Sequence, residues 1–176
     1  MTGRLEQWHC IRTGLRRLRI AMNGYRRDSR SAHFLFLSAA ILETSHRIPN
    51  LDYDILMKLT LQLTKSMEEC EKLYRLMCFN VFAHNRDDHS KNFSYIYRDE
   101  EKRWILSPAY DLTYSNSIGG EHATTVNGNG ADPGMDDLLS VAKKIGLGMT
   151  KARKTAAEIQ ECVQERLRDY LSDRIE

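Results

Sequence analysis

Between residues 51 and 106 the spacing of apolar residues changes its period, and the change falls across the run Ala83-His84-Asn85-Arg86-Asp87-Asp88-His89-Ser90-Lys91-Asn92. Before the run, Leu51, Ile55, Leu56, Leu59 and Leu63, then Leu73, Leu76, Met77, Val81 and Phe82, recur at helical intervals. Ser66, with Glu69 three residues later, has capping-box spacing and starts the second of these helices. After the run, Phe93, Tyr95 and Tyr97, then Trp104 and Leu106, alternate as two short strands do, with Arg98 to Arg103 as a charged connection. A helix therefore delivers the chain to a polar loop and a small antiparallel hairpin carries it away. The order predicts a mainly α, α+β fold with the hairpin beside the loop.

Further helices are expected over Met135 to Ile145 and Thr150 to Leu171, the latter with Ile159, Val163, Leu167 and Leu171 on one side. Residues 113–132, rich in Ser, Asn, Gly and Thr, read as a long loop too polar for the core. Upstream, His33 to Leu42 is ambiguous between helix and strand, with Ser38 to Leu42 favouring helix, and Pro49-Asn50 breaks the chain. Leu5, Trp8, Ile11, Leu15, Leu18 and Met22 form an amphipathic helical stripe that Asn23-Gly24 can stop. Residues 1–30 carry eight arginines against Glu6 and Asp28, although the whole chain is only +2. A solvated basic face explains this better than direct nucleic-acid binding, because no aromatic or base-reading pattern accompanies the charge.

A chain of 176 residues can bury one core. It has no apolar run near the ~20 residues that span a bilayer and no signal-peptide pattern, so a soluble, cytoplasmic protein with no membrane partner is expected. Cys10, Cys70, Cys78 and Cys162 have neither zinc nor disulfide spacing and read as reduced, with Cys70 and Cys78 about two turns apart on one helix.

The chemistry sits in the polar run. Arg86-Asp87-x-x-x-x-Asn92 meets the kinase catalytic-loop pattern, and Asp111 follows in Ser107-Pro108-Ala109-Tyr110-Asp111-Leu112. In that reading Asp87 accepts the proton of an attacking hydroxyl. Asn92 and Asp111 offer neutral and anionic oxygens to Mg2+ on the phosphates of ATP, and Lys91 neutralises charge on the moving phosphoryl group. Blander roles stand beside these. Asp87 can be a turn carboxylate and Asp111 a strand-end cap. Asp88 is read as structural, His89 as orienting the loop by a side-chain hydrogen bond, and Arg86 as pairing with a nearby carboxylate. His84, Asp87, Asp88, His89 and His122 could alternatively form a hydrolytic metal site, but that arrangement lacks a helical His pair and leaves Asn92 and Asp111 idle. Gly119-Gly120 and Gly128-Asn129-Gly130 are flexible turns rather than a phosphate cradle.

At Asp87-Asp88-His89-Ser90-Lys91-Asn92-Phe93-Ser94 and Ser107-Pro108-Ala109-Tyr110-Asp111-Leu112 the chain resembles the HipA-like serine/threonine kinases, toxins of bacterial toxin–antitoxin pairs. The resemblance covers about His33 to Ile175. It implies the large helical lobe of a protein-kinase-like fold over 29–176, after a basic arm over 1–28. It also implies Asp87 as catalytic base, Asn92 and Asp111 as magnesium ligands, a protein substrate and a DNA-binding antitoxin partner. Such kinases carry an upstream nucleotide-binding lobe with a strand lysine and a phosphate-covering loop. The 83 residues before His84 show neither, so a truncated chain is expected, weak or inactive alone. A separately encoded small lobe could complete it, and a catalytically silent partner of an antitoxin or of such a lobe is the alternative.

Overall fold

The computed structural model describes residues 34–37, 51–115 and 119–172, with side chains described over 51–115 and 119–166. The expectations for Leu5 to Met22, Ser38 to Leu42, Pro49-Asn50 and Cys10 lie outside the described residues. Within them the order is β1 (Phe34–Leu37), β2 (Leu51–Asp52), α1 (Tyr53–Thr64), α2 (Met67–Phe82), a 3-10 turn (Ser90–Asn92), β3 (Ser94–Arg98), β4 (Arg103–Leu106), β5 (Thr124–Thr125), α3 (Met135–Ile145) and α4 (Met149–Ser172). The fold is mainly α with small strands, as the change of period predicts.

Asp52, in an extended conformation, accepts the Asp54 N–H at 2.7 Å and so caps α1, which Lys65 ends in the left-handed region at φ 57°. Ser66 then caps α2 by accepting the Glu69 N–H at 3.4 Å. The return arm of the expected capping box is not made. Glu69 is 1% exposed, and its carboxylate accepts instead from Lys72 Nζ at 2.8 Å and from the Leu106 N–H at 2.9 Å. A buried carboxylate is stable only with strong donors around it, and the β4 amide with the Lys72 ammonium meets that need. The exchange fastens the hairpin to α2.

Helix α2 packs against α1, α4 and β4. Leu56, Leu73, Met77, Leu138, Val141 and Ala156 share one buried cluster around it, each large apolar side chain contributing about 2 kcal/mol. Tyr95 brings β3 into that core, its hydroxyl 2.7 Å from Thr60 Oγ1. Cys70 and Cys78 lie buried on α2 as free thiols, and burial pushes them up to about 11 and about 12, so both stay protonated.

The hairpin has a third strand. β1 pairs antiparallel with β3, Phe34 opposite Tyr97 and Leu37 opposite Ser94, so the first half of the ambiguous His33–Leu42 stretch is strand. Local propensity left this open, and the unpaired edge of β3 decides it by supplying backbone partners. Arg98 and Arg103 face each other across β3 and β4, and Glu101 pairs with both.

A second sheet is a parallel pair, Leu51 opposite Thr124 and Asp52 opposite Thr125. At two residues per strand it leaves no alternation to read. It draws part of the 113–132 stretch onto the start of α1. The expectation that this stretch is too polar for the core needs correction, since His122, Thr124 and Val126 are all buried. Their polar atoms are tolerated there because partners across the fold satisfy them.

Candidate active site

The loop begins with an unusual helix ending. Asn85 N–H reaches Asn80 O at 2.9 Å and His84 N–H reaches Val81 O at 3.3 Å, the paired bonds of a Schellman turn, with His84 at φ 51° where glycine is usual. This reversal turns the chain off the end of α2. Residues 84–86 are then held between two other segments. Ser115 N–H donates to His84 O at 3.1 Å, Arg86 N–H to Ser115 O at 3.4 Å, and Ala123 N–H to Arg86 O at 3.0 Å.

Held this way, the two neighbouring carboxylates go opposite ways. Asp88 is buried, and its carboxylate accepts from Tyr53 Oη at 3.0 Å, from Thr124 N–H at 3.1 Å and from His122 Nδ1 at 3.1 Å. Its carbonyl accepts from Thr124 Oγ1. A carboxylate only accepts, so His122 carries its proton on Nδ1. Burial, then the adjacent Asp88 charge, pushes the Tyr53 hydroxyl well above its usual range, which keeps it a donor. Tyr53 Oη in turn accepts from Asn80 Nδ2 at 2.9 Å, and Asn80 Oδ1 accepts from Asn85 Nδ2 at 3.0 Å. The structural role expected of Asp88 is the observed one.

Asp87 faces outward, its side chain 55% exposed, with His89 Nε2 at 3.8 Å from Oδ1. That is too long for the hydrogen bond expected of His89, whose Nδ1 is buried without a partner among the described residues. Among the described residues the side chain of Arg86 makes no pair with a carboxylate, and its Nε is likewise buried without a partner.

Asn92 closes the loop, donating from Nδ2 to the Asp87 carbonyl at 2.8 Å. That bond commits the amide nitrogen inward and leaves Oδ1 open. The segment carrying Asp111 is fixed on the same loop, because Tyr110 Oη donates to Lys91 O at 2.6 Å. Asp111 is exposed, at φ 55°, and its carboxylate makes no hydrogen bond or ion pair to another described residue. Backbone or side-chain bonds thus join Asp87 to Asn92 and Lys91 to the neighbour of Asp111. An amide oxygen and a carboxylate are the kinds of donor a hard cation such as Mg2+ accepts, with phosphates and water filling its other positions.

A family model, the HipA-like C-terminal domain, matches residues 17–167. The chain belongs to this family. The match begins within the basic segment 1–28 and takes in the whole candidate site. Among solved structures, a chain of the Shewanella oneidensis MR-1 toxin–antitoxin complex of HipA, HipB and operator DNA matches at a TM-score of 0.58 and 15% identity, over 86% of the present chain and 39% of that one. The present chain therefore spans well under half the length of that relative, and the likeness is one of fold. Among curated proteins none matches the sequence.

In this HipA-like domain, sequence reasoning missed Tyr53, Asn80, Thr124 and the part His122 plays. Tyr53 and Asn80 looked like ordinary helix residues, and His122 was considered only as a metal ligand. Among the described residues no three His, Cys, Asp or Glu side chains gather as a metal group, and His122 and Asp88 satisfy one another instead. The one usable signal was an isolated His and Thr pair in a stretch otherwise built for turns. No helix of the described residues is long and apolar enough to cross a membrane.

Proposed function

We propose that the chain is the catalytic lobe of a HipA-type serine/threonine kinase, which moves the γ-phosphoryl group of ATP to a protein hydroxyl. The Asn92 bond to the Asp87 carbonyl carries this reading, because it folds the R-D-x-x-x-x-N run into a closed loop and uses the Asn92 amide nitrogen, not its oxygen, to do so. Asp87, exposed and lightly engaged, takes the proton of the substrate hydroxyl as its oxygen bonds to the γ-phosphorus and the bond to ADP breaks. Lys91 and Asn92 face the phosphates, and Asn92 with Asp111 would hold magnesium. When bound, that ion supplies neutralisation of phosphate charge. The chain spans 39% of the HipA relative, and transfer by these 176 residues alone is expected to be weak and to rise with a nucleotide-covering lobe supplied in trans.

Radiolabelled ATP with Mg2+ tests the reading on wild type, Asp87→Asn and Asp111→Asn. Each variant is expected to lose about 100-fold or more of whatever transfer the wild type shows. Undiminished transfer by Asp87→Asn would remove it from the chemistry.

A second reading, a docking partner of an antitoxin or of a separate small lobe, draws on a groove of about 1150 Å3 between α2 and α4, lined by Phe79, Phe82, Leu112, Tyr114 and Ile159. The solved HipA relative is itself in complex with HipB and DNA. Tight binding of such a partner without phosphotransfer would favour this reading over the first.

A further inference from the structure

We infer that His122 is a positioning residue for the catalytic loop, acting through Asp88 on the peptide that Asn92 grips. The inference rests on the kinase reading for its functional meaning but on geometry for its substance. The carbonyl that accepts from Asn92 Nδ2 belongs to the Asp87–Asp88 peptide unit. On one side of that unit hangs the exposed Asp87. On the other, Asp88 is held by His122, Thr124 and Tyr53, three residues from two segments distant from it in sequence.

A single planar peptide thus has its orientation set from the buried side and read from the open side. If loss of these partners lets the backbone at Asp88 turn about φ, the 87–88 carbonyl turns with it, and Asn92 loses its bond to that carbonyl. Thr124 can hold only one carboxylate oxygen, Oδ1, through its N–H. The other, Oδ2, is shared by His122 and Tyr53, and Tyr53 is itself fixed by Asn80 at the end of α2. Of these partners His122 alone comes from the long polar stretch by its side chain with an imidazole wholly enclosed, 2% exposed. The stretch at 119–125 is therefore a backstop to the loop rather than a passive connection, and its His selects the carboxylate rotamer.

The test uses the full chain, uniformly labelled with 15N. Three variants are compared: His122→Leu, which removes the donor; His122→Asn, whose amide nitrogen falls near the position of Nδ1 and keeps it; and Asp88→Asn with His122→Leu, which removes charge and donor together. The readout is solvent exchange and chemical shift of the Asn92 side-chain amide, with backbone amides of β3 as the control for folding. Exchange at Asn92 is expected to rise about tenfold or more in His122→Leu and in the double variant, and to stay near wild type in His122→Asn.

Where phosphotransfer is measurable, His122→Leu is expected to lower kcat/KM for ATP by about 100-fold, and His122→Asn to restore it. Folded variants with an unchanged Asn92 signal overturn the inference. So does failure of both donor-less variants to fold, since the pair would then be a folding element only. A wild type that shows no phosphotransfer even with a nucleotide-covering lobe supplied in trans, and whose Asn92 signal still answers to His122, sinks the kinase reading and leaves the positioning intact.

Discussion

Asp87 and Asp88 are covalent neighbours of the same chemical type, and the fold treats them oppositely. The side chain of Asp88 is fully buried and takes three donors, while that of Asp87 is 55% exposed with one imidazole nitrogen 3.8 Å away. The contrast extends to the two faces of the loop. On the inner face Tyr53, His122 and Thr124 saturate the Asp88 carboxylate, and Asn80 and Asn85 extend the chain of bonds to the end of α2. On the outer face Asp87, Asn92 Oδ1 and Asp111 keep oxygen lone pairs unspent. Saturation is what a buried charge needs for stability, and unspent lone pairs are what a proton or a cation needs for chemistry. Placing the two on successive residues lets a rigid inner face aim a reactive outer one.

The sharpest way to break this contrast is Asp88→Ala, which leaves Tyr53, His122 and Thr124 donors unmatched. It should cost about 3–5 kcal/mol of stability in urea unfolding, and a loss under about 1 kcal/mol would mean the inner face is not the anchor described. Tyr53→Phe comes next. It removes one donor to Asp88 and the acceptor of Asn80, for an expected cost of about 1–3 kcal/mol by the same measurement.

A smaller effect is expected at Asp137, far from the loop. Burial works against its charge, but donation from Asn127 Nδ2, the Gly134 N–H and Asn129 Nδ2 outweighs that and holds the carboxyl below its ordinary 3.8. A carboxylate lowered in the folded state stabilises the fold above its unfolded pKa, and that contribution disappears as pH falls through the folded value. Urea midpoints of wild type and Asp137→Asn should therefore differ at neutral pH and converge in acid, as pH falls below 3.8 and through the lowered folded value. A gap that persists unchanged in acid would assign the difference to packing. Last, Asp87→Asn should leave the midpoint within about 0.5 kcal/mol of wild type. A larger shift would show that the outer carboxylate also carries stability and would blur the distinction between the faces.

How much of this was legible depended on the range of the interaction. The helices at α1 and α2 announce themselves because 3.6-residue periodicity and a cap such as Ser66 act within a few positions. The loop motif was legible for the same reason, its Asp-to-Asn spacing being the span of one closed turn. The destination of Glu69 was not, because a capping box and a bond to the β4 amide call for the same residue, and only the approach of the hairpin chooses between them. Nor was β1 settled: four apolar residues suit a helix or a strand until an edge is there to pair with.

From sequence alone came the mainly helical class, the hairpin, the R-D-x-x-x-x-N motif and the family, since each rests on residues close together or on a contiguous motif. Only the tertiary structure decided which of two adjacent carboxylates is buried and that a histidine 34 positions away holds it. Those outcomes depend on bonds between distant segments, and a buried polar atom is stable only where the whole fold brings it a partner.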